Sequence, residues 1–299
     1  MLGSSWSRSV FLGLALMIVV AQSPRSECEA QPPQDPADAL RTMFEQFGQQ
    51  SSRFMPGMFS ELTPQQMAEL EKVAIAPREE AQFGAQVLKN YEASLHSQNV
   101  AFTHQGKDVE YLAQLVDTIR PHMSNARRYP KIDMALVETE SVDAYSVPGG
   151  HLIFTTGLMK NVQSEAELVG VIAHELSHLD RGHQLLPLKQ MKTVGKVNDF
   201  RAGMMWIATM AKPFRPEFEA QADGDAVEWM LAAGYDPRQL AKLLSRWDAR
   251  QDQNAPWTRM LPSFARSHPD SGRRAQTMLN GFDRSGIDPG GLIIGEENL

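Results

Sequence analysis

Residues 164–182 constrain this chain more than any other segment, because they read as one helix carrying His174-Glu175-Leu176-Ser177-His178 in its interior. Ser164-Glu165-Ala166-Glu167 has the form of a capping box, in which a serine hydroxyl and a glutamate three residues on satisfy the open amides of a first turn. Leu168, Val171, Ile172, Leu176 and Leu179 recur at helical spacing, and Gly182 supplies a stop. On such a helix, residues four apart share a face about one turn (~5.4 Å) apart along the axis. Imidazoles at His174 and His178 can therefore grip one tetrahedral Zn²⁺. Glu175, beside the first, can reach a water on the metal and act as general base.

Composition decides which atoms can complete such a site. The 299-residue chain has one cysteine, Cys28. One thiol builds neither a disulfide framework nor an all-cysteine metal site, so any metal must rest on histidine and carboxylate. The hydrophobic fraction of 42% and charged fraction of 22% are globular values, which exclude a collagen, a wholly disordered chain and a multispan membrane protein. A net charge of −7 offers no basic field, so nucleic acid is not an expected partner.

A third ligand is available downstream. Pro216-Glu217-Phe218-Glu219-Ala220-Gln221-Ala222-Asp223 opens a second helix, with proline suited to the first turn and Glu217 to the positive end of the dipole. Trp229 and Met230 belong to its packed face, and Gly234 with Pro237 ends it. Glu219 and Asp223 share one face, so Glu219 can complete a His₂Glu site. Asp223 can accept the free N–H of a ligating histidine and fix its tautomer. Read alone, the same pair is an ordinary solvated acidic face; beside the helix of His174 the ligand reading is stronger.

The rest of the chain falls into four stretches. Residues 1–21 hold Arg8 as their sole charge and an apolar run over 10–21, the layout of a signal peptide ending at Val19-Val20-Ala21. The alternative is an uncleaved membrane anchor, disfavoured because twelve residues are short for ~30 Å of hydrocarbon. Arg25-Ser26-Glu27 before Cys28 argues against a lipoprotein. Export to a periplasm or cell envelope is expected. Residues 22–63 read as a Pro/Gln/Met-rich tether with a short amphipathic helix at Leu40, Met43, Phe44 and Phe47, which can cover the main domain, bind a partner or lie on a membrane surface; the first is favoured. Residues 64–285 form the main domain and 286–299 a C-terminal tail.

Within the domain, helical periods run from Pro64 through Tyr91 and across 109–123. Residues 132–137 are a strand candidate, and 144–156 read as strand, Pro-Gly-Gly turn, strand. Helices then dominate to about Leu279. The order is that of an α+β domain, mostly helical, with a small hairpin-containing sheet and the His174 helix at its centre. Residues 147–155 are expected to form an edge strand beside the cleft. Val147, Gly149, Gly150, His151 and Leu152 would then pair with an extended peptide. His151 reads as a strand-surface residue. His183, nine residues past His174, should face away from the metal on an ideal helix. The apolar, methionine-rich stretch 200–211 is by default a core helix, with a lid or membrane-touching plug as the alternative.

HExxH followed by ExxxD on a later helix resembles the zinc metallopeptidase family M48, which includes HtpX, the BepA-like envelope proteases and the CAAX prenyl endopeptidases. The resemblance covers roughly residues 75–280. Asp143-Ala144-Tyr145-Ser146-Val147-Pro148-Gly149-Gly150, the approach through Ser164-Glu165-Ala166-Glu167-Leu168, and Ser267-His268-Pro269 with Arg274 are each similar to that family's motifs. It implies a zincin-type fold, one Zn²⁺ on His174, His178 and Glu219, Glu175 as general base, and peptide-bond hydrolysis. It further suggests that His268 or Arg274 stabilises the oxyanion, or that His268 takes the fourth zinc position and keeps the enzyme latent. Without the resemblance, His268-Pro269 would read as a helix end and nothing more.

There are departures: Asp143 stands where the family commonly has asparagine, and Gly224-Asp225 where a basic residue is usual. No run of about 20 apolar residues follows, so the soluble envelope branch is the better comparison. The leading expectation is a zinc endopeptidase acting on misfolded or misassembled envelope proteins. The alternatives are a zinc-stabilised, chaperone-like peptide binder with latent proteolysis, and a fortuitous HExxH on a structural helix. Nothing in the sequence bears on oligomeric state.

Overall fold

The computed structural model describes residues 62–194, 214–249 and 268–298. The expected signal peptide, most of the tether with its amphipathic helix and Cys28, and the 200–211 segment lie outside them.

The chain enters through α1 (Pro64–Glu71) and α2 (Pro77–Ser97). The single helical period expected there is two helices, each opened by a proline at its first turn. A two-residue β1 (Phe102–Thr103) leads to α3 (Lys107–Ile119), whose Val109, Leu112, Leu115, Val116 and Ile119 are buried. Then come β2 (Asp133–Val137), β3 (Ala144–Val147) and β4 (His151–Thr155), a short α4 (Thr156–Asn161), and α5 (Glu165–Arg181), the helix of the HExxH motif. After α6 (Leu186–Val194), α7 (Pro216–Ala232) carries Glu219, and α8 (Arg238–Ala249) and α9 (Ser271–Ser285) complete the helices. The α+β architecture is as expected. No helix among the described residues is long and apolar enough to cross a membrane.

The sheet has the order β1-β2-β4-β3. β3 and β4 form the expected antiparallel hairpin, but β4 also pairs in parallel with β2, from Asp133↔His151 to Val137↔Thr155. His151 and Leu152 therefore sit on an interior strand. The edge on that side is β3, with β1 at the other, and among the expected residues β3 retains only Val147. The signal was present in the sequence: Leu152-Ile153-Phe154 is a continuous apolar run, the mark of a strand covered on both faces, whereas an exposed edge would alternate.

Every residue of α5 from Glu165 to Asp180 is buried. Its neighbours are α7, α8, α3 and β3. Leu168, Val169, Val171, Ile172, Leu176 and Leu179 join one core with Phe154, Trp229, Met230, Leu240 and Trp247. Each such side chain contributes about 1.5–3 kcal/mol by leaving water, so the helix carrying His174 and His178 is firmly anchored. A second cluster, built on Phe83, Val87, Leu95, Val147 and Ile153, packs α2 against the hairpin.

α2 lies so close to the β3–β4 turn that a Cβ at Gly84 would stand 1.7 Å from the Pro148 carbonyl oxygen. Buried Glu80 locks the approach. It accepts from Arg128 Nε at 2.6 Å, Tyr129 Oη at 2.8 Å and the Gly149 amide at 3.1 Å.

Residues 286–298 are no free tail. Ile293 bridges Tyr235, and the amides of Glu165 and Ala166 donate to the carbonyls of Gly295 and Ile294, each at 3.0 Å. The end of the chain thus satisfies open N–H groups in the first turn of α5. The Ser164 hydroxyl accepts from the Glu167 amide as the capping box requires, while the Glu167 carboxylate turns to the Gln163 amide and Arg246.

Candidate metal centre

Helix geometry brings His174 and His178 together as the motif requires: their Nε2 atoms lie 3.1 Å apart, and both rings are buried. α7 packs along α5 and delivers Glu219, whose Oε2 is 3.5 Å from His174 Nε2 and whose Oε1 is 3.5 Å from His178 Nε2. His268, just before α9, supplies a fourth donor. Its Nδ1 is 2.9 Å from Glu219 Oε1 and 3.1 Å from His174 Nε2. All four residues offer ligand atoms within 4.8 Å of one another. A tetrahedral site with zinc–nitrogen bonds of ~2.0–2.1 Å has donor–donor edges of about 3.4 Å, which these separations bracket. Four potential ligand atoms converge in a buried space, so the residues fit a zinc ion.

Electrostatics follow from burial and these contacts. Burial opposes charge on Glu219, but the His268 charge and the imidazoles around it hold its carboxyl well below the usual range. His178 is pushed well down by burial. His174 is also buried, yet hydrogen bonds to Asp223 and Glu219 lift it to about 9. Burial lifts Glu175 to about 8. Glu175 Oε1 lies 3.4 Å from His268 Nε2.

Around the donors sits a second layer. Asp223 Oδ1 is 3.1 Å from His174 Nδ1, the orienting contact expected of it. Arg274 donates from Nε and Nη2 to the two Asp223 oxygens at 2.7 and 2.6 Å. Its Nη1 meets Glu219 Oε2 at 2.6 Å and the His268 carbonyl at 3.2 Å. Its guanidinium is thus committed to carboxylates and main chain.

α5 ends at Arg181, and Gly182 turns the chain with φ +70°, a left-handed conformation suited to glycine. The turn carries His183 back until its Nδ1 lies 2.9 Å from His178 Nδ1, with its Nε2 2.9 Å from Gln221 Oε1. His183 is not among the converging ligand atoms, but it reaches the side of the His178 ring away from them. Phe218 stacks on His183 with centroids 4.1 Å apart, and Phe214 stacks on His178 at the same distance. His104 contacts the Met134 carbonyl, far from the cluster in sequence and on the sheet.

A mostly helical domain that sets a His–Glu–His donor set on two packed helices, with a small mixed sheet alongside, has the architecture of a zincin-type metalloprotease domain. The model of peptidase family M48 matches residues 107–280, more than half of the chain, and the chain belongs to that family, whose members use zinc. It is similar to the β-barrel assembly-enhancing protease of Yersinia pestis, 25% identical over 158 residues, 45% of this chain and 32% of that protein. It is also similar to the mitochondrial metalloendopeptidase OMA1 of Arabidopsis thaliana, 29% identical over 119 residues, 36% of this chain and 24% of that protein. The OMA1 of Schizosaccharomyces pombe is 23% identical over 154 residues, 48% of this chain and 44% of that protein. The chain thus covers less than half the length of each of these relatives.

Proposed function

We propose that the chain is a zinc-dependent endopeptidase in which His174, His178 and Glu219 hold the metal and Glu175 is the general base. The observation carrying this reading is the convergence of the donor atoms beside a buried carboxylate. Zinc, when bound, supplies the Lewis acidity that polarises a scissile carbonyl and acidifies water. Glu175 takes the proton from the attacking water and returns it to the leaving amine. Asp223 orients His174, and Arg274 fixes Asp223 and Glu219 together. The edge strand β3 offers main-chain groups to an extended peptide; Asp143 hydrogen-bonds Thr155, so by the alternation of an antiparallel ladder Ser146 turns outward.

The substrates proposed are misfolded or misassembled proteins of a cell envelope. The apolar segment 10–21 behind Arg8 supports export, and a relative named for β-barrel assembly supports an envelope role; residues 1–21 act as the signal and 22–63 as the tether. The test is metal analysis of the purified full chain, with capture of envelope proteins by Glu175→Gln. One zinc per chain, and capture of proteins that the wild type cleaves, are expected. A zinc-free wild type, or captured proteins that it leaves intact, would overturn the reading.

The place of His268 favours a second reading of its role. With its Nδ1 among the ligand atoms, it acts as a fourth donor that keeps the site latent. His268→Ala then raises peptide turnover, whereas an oxyanion role makes the same change lower it.

A further inference from the structure

We propose that His183 and Gln221 form a relay that fixes the tautomer of His178, leaving its Nε2 lone pair free for the metal. The proposal rests on the zinc reading above. Its basis is a chain of two hydrogen bonds: His178 Nδ1 to His183 Nδ1 at 2.9 Å, and His183 Nε2 to Gln221 Oε1 at 2.9 Å.

With Gln221 Oε1 facing His183, the proton positions follow from donor and acceptor chemistry. An amide oxygen only accepts, so His183 Nε2 must carry the hydrogen that it shares with Gln221. A neutral imidazole protonated at Nε2 has a lone pair at Nδ1, so His183 Nδ1 must accept from His178. The His178 hydrogen is then on Nδ1, and its Nε2, 3.1 Å from His174 Nε2, presents a lone pair to the donor cluster. Rotating the Gln221 amide by half a turn reverses every link and places a proton on His178 Nε2. The direction of one amide thus biases which nitrogen of His178 keeps its lone pair for the metal.

The ring between them is held firmly. Gly182 turns the chain so that His183 lies under α5, and Phe218 stacks on it with an interplanar angle of 5°. His183 is 7% exposed, while Gln221 lies on the exposed side of α7. Ligating histidines ordinarily lean on a carboxylate or a carbonyl. His174 does so through Asp223; His178 reaches its carbonyl through an intervening imidazole. The two ligands of one helix therefore have outer partners of different kinds.

The test measures zinc affinity of the full-length protein by competition with a chromophoric chelator, alongside thermal melts of the metal-free forms. His183→Phe keeps the stack on Phe218 and removes the acceptor. It should weaken zinc binding about 10–100-fold, and His183→Asn, whose amide oxygen can accept from His178, should recover part of the loss. At exposed position 221, Gln221→Glu should hold or tighten zinc, and Gln221→Lys, which places a donor there, should weaken it at least several-fold. In the cobalt-substituted protein, His183→Phe should shift the visible bands. Zinc affinity of His183→Phe within twofold of wild type, or equal effects of Gln221→Glu and Gln221→Lys, would overturn the relay alone. Absence of zinc binding by the wild type would overturn the peptidase reading with it.

Discussion

Arg274 and Asp223, 51 residues apart in sequence, meet in a buried two-pronged contact, Nε to Oδ2 at 2.7 Å and Nη2 to Oδ1 at 2.6 Å. The pair joins α9 to α7, and Asp223 in turn lies 3.1 Å from the His174 ring, so Arg274 bears on how that imidazole is held. Removing one partner of such a pair strands a buried charge. Arg274→Ala should cost about 3–5 kcal/mol of stability and reduce zinc retention, read by urea melts and metal analysis. Arg274→Lys should recover little, since an ammonium lacks the planar fork.

Glu175→Gln preserves shape and leaves the donors in place. Peptide turnover should fall by at least about 10²–10⁴-fold with zinc content unchanged. A variant that loses metal together with activity would assign Glu175 to holding the site.

Gly84 touches nothing catalytic, yet its place against Pro148 sets the edge strand. Gly84→Ala should cost at least about 1–3 kcal/mol, the range for forced overpacking, and raise KM for peptides more than it lowers kcat. A urea midpoint equal to wild type would refute the interlock of α2 with the hairpin turn.

Asp236 carries a pH dependence. Burial would raise its carboxyl, but hydrogen bonds from Arg238 and Gln239 outweigh this and hold it below its ordinary value of 3.8. A folded value below the unfolded one means stability that is present above about pH 4 and lost as pH falls through the folded value. Asp236→Asn should therefore be less stable than wild type by about 1.5–3 kcal/mol at pH 7, with the gap closing below pH 4. Melts at pH 7 and pH 3 give the comparison.

What could be read from the chain, and what could not, divides along the range of the interactions. Helix signals are local, so the Ser164 cap, the Gly182 stop and the Pro216 start placed α5 and α7 closely, and with them His174, His178 and Glu219. The hairpin at Pro148-Gly149-Gly150 is local too. The parallel pairing of β2 with β4 joins strands separated by another strand, and this nonlocal contact moved the edge from His151 to β3. The contact of His183 with His178 was not foreseen, because a period says nothing beyond a helix end. Arg274 was expected at the site, but its task was not, since three acceptors contributed by α7 and the His268 main chain decide where its donors go. The bridge of Ile293 to Tyr235 has no periodic signature at all.

That last contact makes the carboxyl end a handle on the chemistry. Ile294 and Gly295 are spliced to Ala166 and Glu165, and the helix from there to His174 spans roughly 14 Å at ~1.5 Å per residue. A change near residue 293, such as a fused domain or a proteolytic nick, therefore acts on the first turn of the helix that carries His174 and His178 without entering the cleft.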